Sequence, residues 1–302
     1  MLQINKGYWL VLGTAFISGI SIFINKFGVS MSSPDIFVFL KSVIVAIFLT
    51  ALLVAFKDYK LLKSLTKKNW SLLFLIGLVG GSVPFLLFFK GLSITDAAGA
   101  SFIQKSMFVW ILILAGIFLK EKITWKYLTA GLLLMLGSGL LLKISSIHLD
   151  QGSLLVFLAT LFWAVENVIS KYTLQNLPPR LVMWGRMFFG SLLILLFLAF
   201  TGQTAALMQL SAEQIGWSLI TGVLLIGYVM TWYTGLKYIK VSEAAIILML
   251  GSPITTLLTT IFSRPLGIRE YLATALIIIG VVLAIEVRGT LPQLRSEKYV
   301  KD

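Results

Sequence analysis

The sequence predicts an all-α integral membrane protein of ten transmembrane helices, arranged as two inverted five-helix repeats. Hydrophobic residues make up 58% of the 302-residue chain and charged residues only 12%, about half the charged fraction of a soluble domain. The apolar residues fall in runs of roughly 19 to 24 residues, long enough to cross about 30 Å of hydrocarbon. Runs of this length satisfy their backbone polar groups in lipid as helices. A third observation, an internal repeat, predicts the arrangement in two halves.

Ten apolar runs are predicted to be the spans. In the first half they lie near 8–28, 34–56, 70–92, 95–118 and 123–143. In the second half they lie near 151–173, 179–200, 214–238, 241–262 and 268–287. The first run continues directly into the repeat, so we expect a retained span rather than a cleaved signal peptide.

The repeat is visible as residue pairs at a nearly fixed offset. At 145 residues the pairs are Lys26 with Lys171, Pro34 with Pro179, and Lys41 with Arg186. At 147 and 144 residues they include Asp96 with Glu243 and Tyr127 with Tyr271. Offsets change at short loops, where insertions are tolerated.

Each half has five spans, an odd number, so the second half enters the membrane from the opposite side. Two inverted copies of one fold are a common plan among transporters. We predict a first repeat at 1–147, a second, inverted repeat at 148–288 and a polar cytoplasmic tail at 289–302.

The distribution of positive charge predicts the orientation. With the N-terminus inside, 17 of the 25 lysines and arginines fall in cytoplasmic segments and 5 on the opposite side. Positive residues prefer the cytoplasmic side, so we expect a multi-pass cell-membrane protein with both termini in the cytoplasm. The concentration of lysines and arginines in cytoplasmic segments then explains the net charge of +13. The sequence has no basic patch interleaved with aromatic residues, so we expect no nucleic-acid partner.

Composition also argues against several kinds of chemistry. The chain has no cysteine and one histidine, His148, which disfavours zinc and haem sites. We see no catalytic constellation, no Gly-rich phosphate loop and no ATPase domain, and we expect no cofactor and no enzymatic activity.

Two motifs resemble a known family. A cation follows the proline of the second span of each half by seven residues, at Lys41 and Arg186, and Leu119-Lys120-Glu121-Lys122 precedes a Gly-rich fifth span, Gly131 to Gly139. Over residues 8–286 the chain resembles the EamA type of the drug/metabolite transporter superfamily. The resemblance implies a transporter of ten helices in two halves.

The chain also departs from the family pattern at three places. Lys41 stands where the first half usually has arginine, and Lys105-Ser106 stands where a small residue and proline are common. The second half has Ser263-Arg264-Pro265 where a Gly-Glu pair is frequent. These departures bear on the substrate rather than on the fold.

Four charged residues lie well within predicted spans: Lys41, Lys105, Glu166 and Arg186. Each costs roughly 2.5–3.5 kcal/mol at a helix centre on insertion scales, so such residues normally face a cavity or a partner. Lys41 and Arg186 are predicted to lie at equal depth from opposite sides of the membrane. They are either anion contacts on the access path or structural cations that hold loop carbonyls or a helix C-terminus.

Lys105 and Glu166 break the repeat, because their equivalents are Ser252 and Ser21. Lys105, with Gln104 beside it, is predicted either to bind or couple substrate or to form a buried ion pair with Glu166. Glu166 is predicted to be a proton carrier or an amine contact.

Polar and aromatic stripes complete the predicted site. Glu166 shares one helical face with Trp163 and Asn167, and Ser21 lies in the equivalent stripe of the first span. Tyr228 and Trp232 lie one turn apart and form an aromatic face that either packs or binds organic groups. Glycines in the third span and Pro253 in the ninth predict local breaks that suit rocking of helices.

These features favour a secondary active carrier of small polar metabolites that works in the lipid bilayer by alternating access. The charges within the spans leave +2, which favours amino acids or organic anions, and the driving force would come from protons or from a counter-substrate. Multidrug or organic cation efflux is the alternative within transport. A non-transporting membrane receptor or lipid-handling protein is the alternative of another class.

Overall fold

The structure, a computed structural model, describes residues 2–142, 150–261 and 268–286. Every regular element in these ranges is helical. His148, the segment 263–265 and the predicted tail 289–302 lie outside the described residues.

The helices follow the predicted spans closely. The first half contains α1 (Leu2–Ser30), α2 (Pro34–Ala55), α3 (Tyr59–Leu62), α4 (Lys67–Ile76), a π-helical segment (Gly77–Ser82), α5 (Val83–Ile94), α6 (Ala97–Lys105), α7 (Met107–Phe118) and α8 (Trp125–Leu142). The second contains α9 (Gln151–Thr173), α10 (Pro179–Phe200), a 3-10 turn (Thr204–Met208), α11 (Ala212–Tyr238), α12 (Val241–Leu248), α13 (Gly251–Ile261) and α14 (Ile268–Glu286).

Eight helical stretches among the described residues are long and apolar enough to cross a membrane. The helices α8 and α14 occupy the predicted fifth and tenth spans and pack against each other. An apolar stretch of α14, Tyr271–Gly280, lies within the predicted tenth span. The expected all-α membrane fold is therefore confirmed.

Side chains at the helix starts explain why several spans begin where they do. The Ser33 hydroxyl accepts a hydrogen bond from the Ile36 backbone N–H, and Pro34 occupies the first turn of α2. Asp150 caps α9 in the same way, and Ser211 with Gln214 forms a capping box at the start of α11. Such caps satisfy backbone donors that the helix itself leaves free.

The internal repeat is present in tertiary contacts. Lys26 Nζ donates to the carbonyl oxygens of Leu92 at 2.8 Å and Thr95 at 2.5 Å, at the end of α5. Its equivalent, Lys171, donates to the carbonyl oxygens of Leu236 and Ile239, at the end of α11. A cation at a helix C-terminus is favourable because the last carbonyls lack partners within the helix. The role of holding a helix end thus belongs to Lys26 and Lys171.

Glycines allow the two halves to approach closely. A Cβ at Gly91 in α5 would lie 2.6 Å from the carbonyl oxygen of Gly152 in α9. At the equivalent crossing of α11 and α1, a Cβ at Gly235 would lie 3.0 Å from the carbonyl oxygen of Gly7. Small residues permit this backbone contact between membrane helices.

Three spans are irregular near their middle. The π-helical segment coincides with the predicted glycine-rich break of the third span. The fourth span breaks at Ser106, between α6 and α7, and the ninth breaks between α12 and α13, just before Pro253. Irregular backbone at membrane depth is tolerated where it is buried in protein or lines a cavity. These breaks therefore indicate where a cavity could lie.

Replacing Gly91 with alanine should destabilise the fold by about 1–3 kcal/mol, because the added methyl group meets backbone atoms that cannot move aside easily. Thermal unfolding of the purified protein in detergent measures the effect. The matched control is Gly13→Ala, since nothing lies within 4 Å of a Cβ at that position. Equal stability of the two variants would contradict close packing of α5 on α9.

Candidate functional site

A cavity of about 70 Å³ lies between the two halves, with room for several water molecules. Its wall is built from spans one to four of the first half and six to eight of the second. Of the ten residues predicted for the site, nine line it: Ser21, Lys41, Gln104, Trp163, Glu166, Asn167, Arg186, Tyr228 and Trp232.

The tenth predicted residue, Lys105, lies directly behind the wall and is 3% exposed. Its ammonium group donates to Ser18 Oγ at 2.7 Å and to Gln104 Oε1 at 3.0 Å, and both acceptors line the cavity. Glu166 instead bonds to residues of α9 and α11. The structure therefore does not form the ion pair between Lys105 and Glu166 that was one of the two interpretations of the sequence.

Glu166 is 1% exposed and is held by two hydroxyl donors. Its Oε1 accepts hydrogen bonds from Ser170 Oγ at 2.5 Å and Tyr233 Oη at 2.6 Å. A Cβ on Gly80, in the π-helical segment, would lie 2.3 Å from Glu166 Cγ and 3.3 Å from Arg186 Nε. Glu166 and Arg186 therefore approach the same face of Gly80, in space that a side chain at this position would fill.

The Arg186 guanidinium is only partly satisfied by the protein. One terminal nitrogen donates to the carbonyl oxygen of Gly80 at 3.0 Å, and the guanidinium carbon lies 5.3 Å from the Phe85 ring centre. Arg186 Nε is buried and has no hydrogen-bond partner among the described residues. Arg186 thus keeps a donor free next to the cavity.

Lys41, the equivalent cation of the first half, is better satisfied. Its Nζ donates to Asn25 Oδ1 at 2.8 Å and lies 4.5 Å from the centre of the Phe89 ring. A cation over an aromatic face is attracted by the ring quadrupole. The interpretation as a structural cation is thus favoured for Lys41, and the interpretation as an anion contact is favoured for Arg186.

The two cations occupy the same three-part arrangement. Asn25, Lys41 and Phe89 in the first half correspond to Ser170, Arg186 and Tyr233 in the second, at offsets of 145, 145 and 144 residues. In both halves, a cation in the second span lies near an aromatic ring in the third span. The halves then differ, because the second adds a carboxylate and a phenolic hydroxyl to the arrangement.

Aromatic side chains form much of the remaining wall. The rings of Tyr228 and Trp232 stack at 6.3 Å between centroids with 21° between their planes. Trp232 Nε1 donates to Asn167 Oδ1, and Trp163 Nε1 donates to the Gly80 carbonyl oxygen, both at 3.0 Å. These bonds fix the indole rings, so the wall presents flat apolar faces with charges at defined positions.

Two partners of the charged groups, Tyr233 and Phe89, were absent from the predicted set. Asn25, which holds Lys41, belongs to the predicted polar stripe of Ser21 in the first span. The repeat carried a usable signal, because Phe89 and Tyr233 are equivalent aromatic residues next to the equivalent pair Phe88 and Trp232. A search for charges and stripes alone does not single them out.

The fold and cavity define a class, that of polytopic helical membrane transporters built from two similar halves. The EamA-like transporter family model matches the chain twice, at residues 5–143 and 150–285. The chain belongs to this family, and it is a multi-pass membrane transporter that moves a small molecule. The resemblance to the drug/metabolite transporter superfamily is therefore confirmed.

Individual relatives are distant. An uncharacterized transporter of Bacillus subtilis, YyaM, is 24% identical over 92% of each chain. The riboflavin transporter ImpX of Fusobacterium nucleatum is 26% identical over 65% of this chain and 69% of its own. A crystal structure matches with a TM-score of 0.71 at 18% identity, covering 98% of this chain and 99% of the other, which is a likeness of fold alone.

Replacing Tyr233 with phenylalanine should lower the free energy of unfolding by about 1–3 kcal/mol, because Glu166 loses one of two buried donors. The ring itself should fit, since the first half has Phe89 at the equivalent place. In a Glu166→Gln background the same change should cost less, because hydrogen bonds to neutral groups are weaker. Thermal unfolding of the four members of this double-mutant cycle measures the coupling.

The matched control is Tyr228→Phe, the same change in the same helix but on the cavity wall. If it destabilises the protein as much as Tyr233→Phe, or if the cycle shows no coupling, the bond between Tyr233 and Glu166 does not hold the carboxylate in place.

Proposed function

We propose that the protein is a secondary active carrier of small polar metabolites, with amino acids and organic anions as the substrate class. The cavity would be exposed to each side of the membrane in turn, and both termini would lie in the cytoplasm. The halves that move would be the predicted repeats, 1–147 and 148–288. One observation carries the proposal: Lys41 and Arg186, buried at equivalent positions of two halves, face one cavity.

Arg186 is the proposed anchor for the substrate's carboxylate. A buried donor without a partner costs about 1–3 kcal/mol, and a ligand acceptor removes that cost. The planar guanidinium matches a carboxylate better than an ammonium group does. Lys41, which already has an acceptor in Asn25, would add positive potential without direct contact.

Glu166 and Lys105 are the proposed groups for selectivity and coupling. Glu166 and Arg186 lie beside each other at the same face of Gly80, so a zwitterion could place its amine near Glu166 while its carboxylate meets Arg186. Within the part of the chain that the structure describes, the acceptors of Lys105 are the neutral groups of Ser18 and Gln104. A buried ionisable group with only neutral partners in a membrane helix commonly belongs to an ion or proton pathway, which supports coupling to protons or to a counter-substrate.

Organic cation efflux is the second candidate, because the stacked rings of Tyr228 and Trp232 could attract a cation. The net positive charge of the wall weighs against it, since the charged side chains that line it among the described residues are Lys41, Arg186 and Glu166. A receptor or lipid-handling role has less support, because named relatives are transporters.

Replacing Arg186 with glutamine should reduce uptake of the best anionic or zwitterionic substrate at least about tenfold, the factor expected for one hydrogen bond to a charged group. Reconstituted vesicles tested against labelled amino acids, organic acids and organic cations measure this. Arg186→Lys should also fail to restore uptake, because lysine lacks the guanidinium fork.

The control for this change is Arg180→Gln, at the start of the same helix, where the arginine pairs with Asp58 instead. Uptake of cations alone would refute the proposed substrate class. A loss of uptake equal to that of Arg186→Gln in the control would refute the assignment of Arg186.

Replacing Lys105 with alanine and Glu166 with glutamine, separately, should abolish accumulation against a gradient in at least one variant while substrate exchange continues. The reason is that coupling needs a titratable group, whereas exchange needs only a binding site. Vesicles with and without an imposed proton gradient separate the two activities. Wild-type accumulation by both variants would remove both residues from the site.

A further inference from the structure

Outside the cavity, a second buried polar cluster lies at the end of the molecule where α1, α8 and α12 begin. Glu243, in the first turn of α12, is 5% exposed. Its Oε2 accepts a hydrogen bond from Tyr8 Oη at 2.7 Å, and its Oε1 accepts one from Tyr127 Oη at 2.8 Å. One carboxylate thus ties three helices together.

The start of α12 is also held from the loop that follows α7. The Glu121 carboxylate accepts hydrogen bonds from the backbone N–H groups of Val241 and Ser242 at 3.1 Å and from the Ser242 hydroxyl at 2.5 Å. Anchored backbone donors of this kind leave α12 little freedom to shift. The position of Glu243 is therefore well defined, and the two phenol bonds link α1 and α8 to it.

Two residues of this cluster have counterparts of the same type at the opposite end, where they are arranged differently. Asp96, the counterpart of Glu243, accepts from the Gly99 N–H at 2.7 Å, within the first turn of its own helix. Tyr271, the counterpart of Tyr127, is 64% exposed, whereas Tyr127 is 3% exposed. The contact between tyrosine and carboxylate is made at one end and is absent at the other.

This difference contrasts with the contacts that both halves keep. Lys26 and Lys171 hold equivalent helix ends at the two ends of the molecule, so they form part of a scaffold that does not change. In an inverted repeat, each half is expected to adopt in turn the arrangement that the other half shows. Only contacts that differ between the halves can distinguish the two states.

We propose that Tyr127 with Glu243 and Tyr271 with Asp96 are alternating latches at the two ends of the cavity. In this structure the first latch is closed at the end that carries Tyr8, here called the N-side, and the second is open. When the second latch closes, Tyr271 moves onto Asp96 and the first latch opens. This proposal rests on the proposed transport by alternating access, to which it adds the residues that hold each end shut.

The test uses site-directed labelling, because the natural chain contains no cysteine. A single cysteine in place of Ser21 on the cavity wall reacts with a membrane-impermeant maleimide added to one side of sealed vesicles. A tag on the N-terminus identifies the N-side. Labelling rates from each side report how often the cavity opens to that side, without any knowledge of the substrate.

We expect Tyr127→Phe to raise labelling from the N-side about tenfold, the factor that loss of one hydrogen bond to a charged group implies. Tyr271→Phe should act in the opposite direction, lowering labelling from the N-side and raising it from the other side. Tyr8→Phe and Glu243→Gln should act in the same direction as Tyr127→Phe, so the test does not depend on one variant folding.

The matched control is Tyr172→Phe, because this phenol accepts a hydrogen bond from the exposed Lys68 and belongs to neither latch. The proposal is overturned if Tyr127→Phe and Tyr271→Phe shift labelling in the same direction, if neither shifts it in protein of normal thermal stability, or if the control shifts it equally. Opposite shifts in a protein that moves no substrate would support the latches and count against the carrier function.

Discussion

The structure depends on one constraint: an ionised or strongly polar side chain inside a membrane helix needs partners that water would otherwise supply. In this chain the partners come from other helices, so each charge also fixes how helices pack. Lys26 and Lys171 satisfy helix ends, Lys41 lies between an amide and a ring, and Glu166 is held by two hydroxyl groups. Arg186 differs, because its Nε has no hydrogen-bond partner in the described part of the chain.

The two halves share a scaffold and differ in chemistry. The shared part consists of cations at helix ends, glycine contacts between helices, and a cation beside an aromatic ring. Chemistry differs where Glu166 and Tyr233 replace Ser21 and Phe89, and where Tyr127 is buried while Tyr271 is exposed. In the proposed mechanism, the symmetric scaffold would support two equivalent states, whereas the asymmetric residues would bind the substrate and hold one end closed.

An irregular helix of the first half holds polar and charged side chains of the second half. The π-helical segment at Gly77–Ser82 exposes the Gly80 carbonyl oxygen, which accepts from both Trp163 and Arg186. A regular helix would use that oxygen within its own backbone. The fourth and ninth spans each break about nine residues after they begin. Lys105, at the break of the fourth span, packs beside Gly251, at the break of the ninth.

The sequence by itself determined the fold class, the order of the helices and most residues of the cavity wall. Apolar runs must be helices in lipid, and the repeat predicts which residues occupy equivalent positions in the two halves. For this reason Glu166 and Ser21 could be placed in equivalent stripes, and Lys41 and Arg186 at equal depth from opposite sides of the membrane, before any contact was known.

Only the tertiary structure decided which groups pair. Depth along a helix does not fix the direction of a side chain, so Lys105 meets Ser18 rather than Glu166, and Tyr233 emerges as the partner of Glu166. The sequence likewise aligns Tyr127 with Tyr271 but cannot tell which one is buried. That difference arises because two similar halves pack around one cavity in a single conformation, and a conformation is a property of the packing between helices rather than of any one segment.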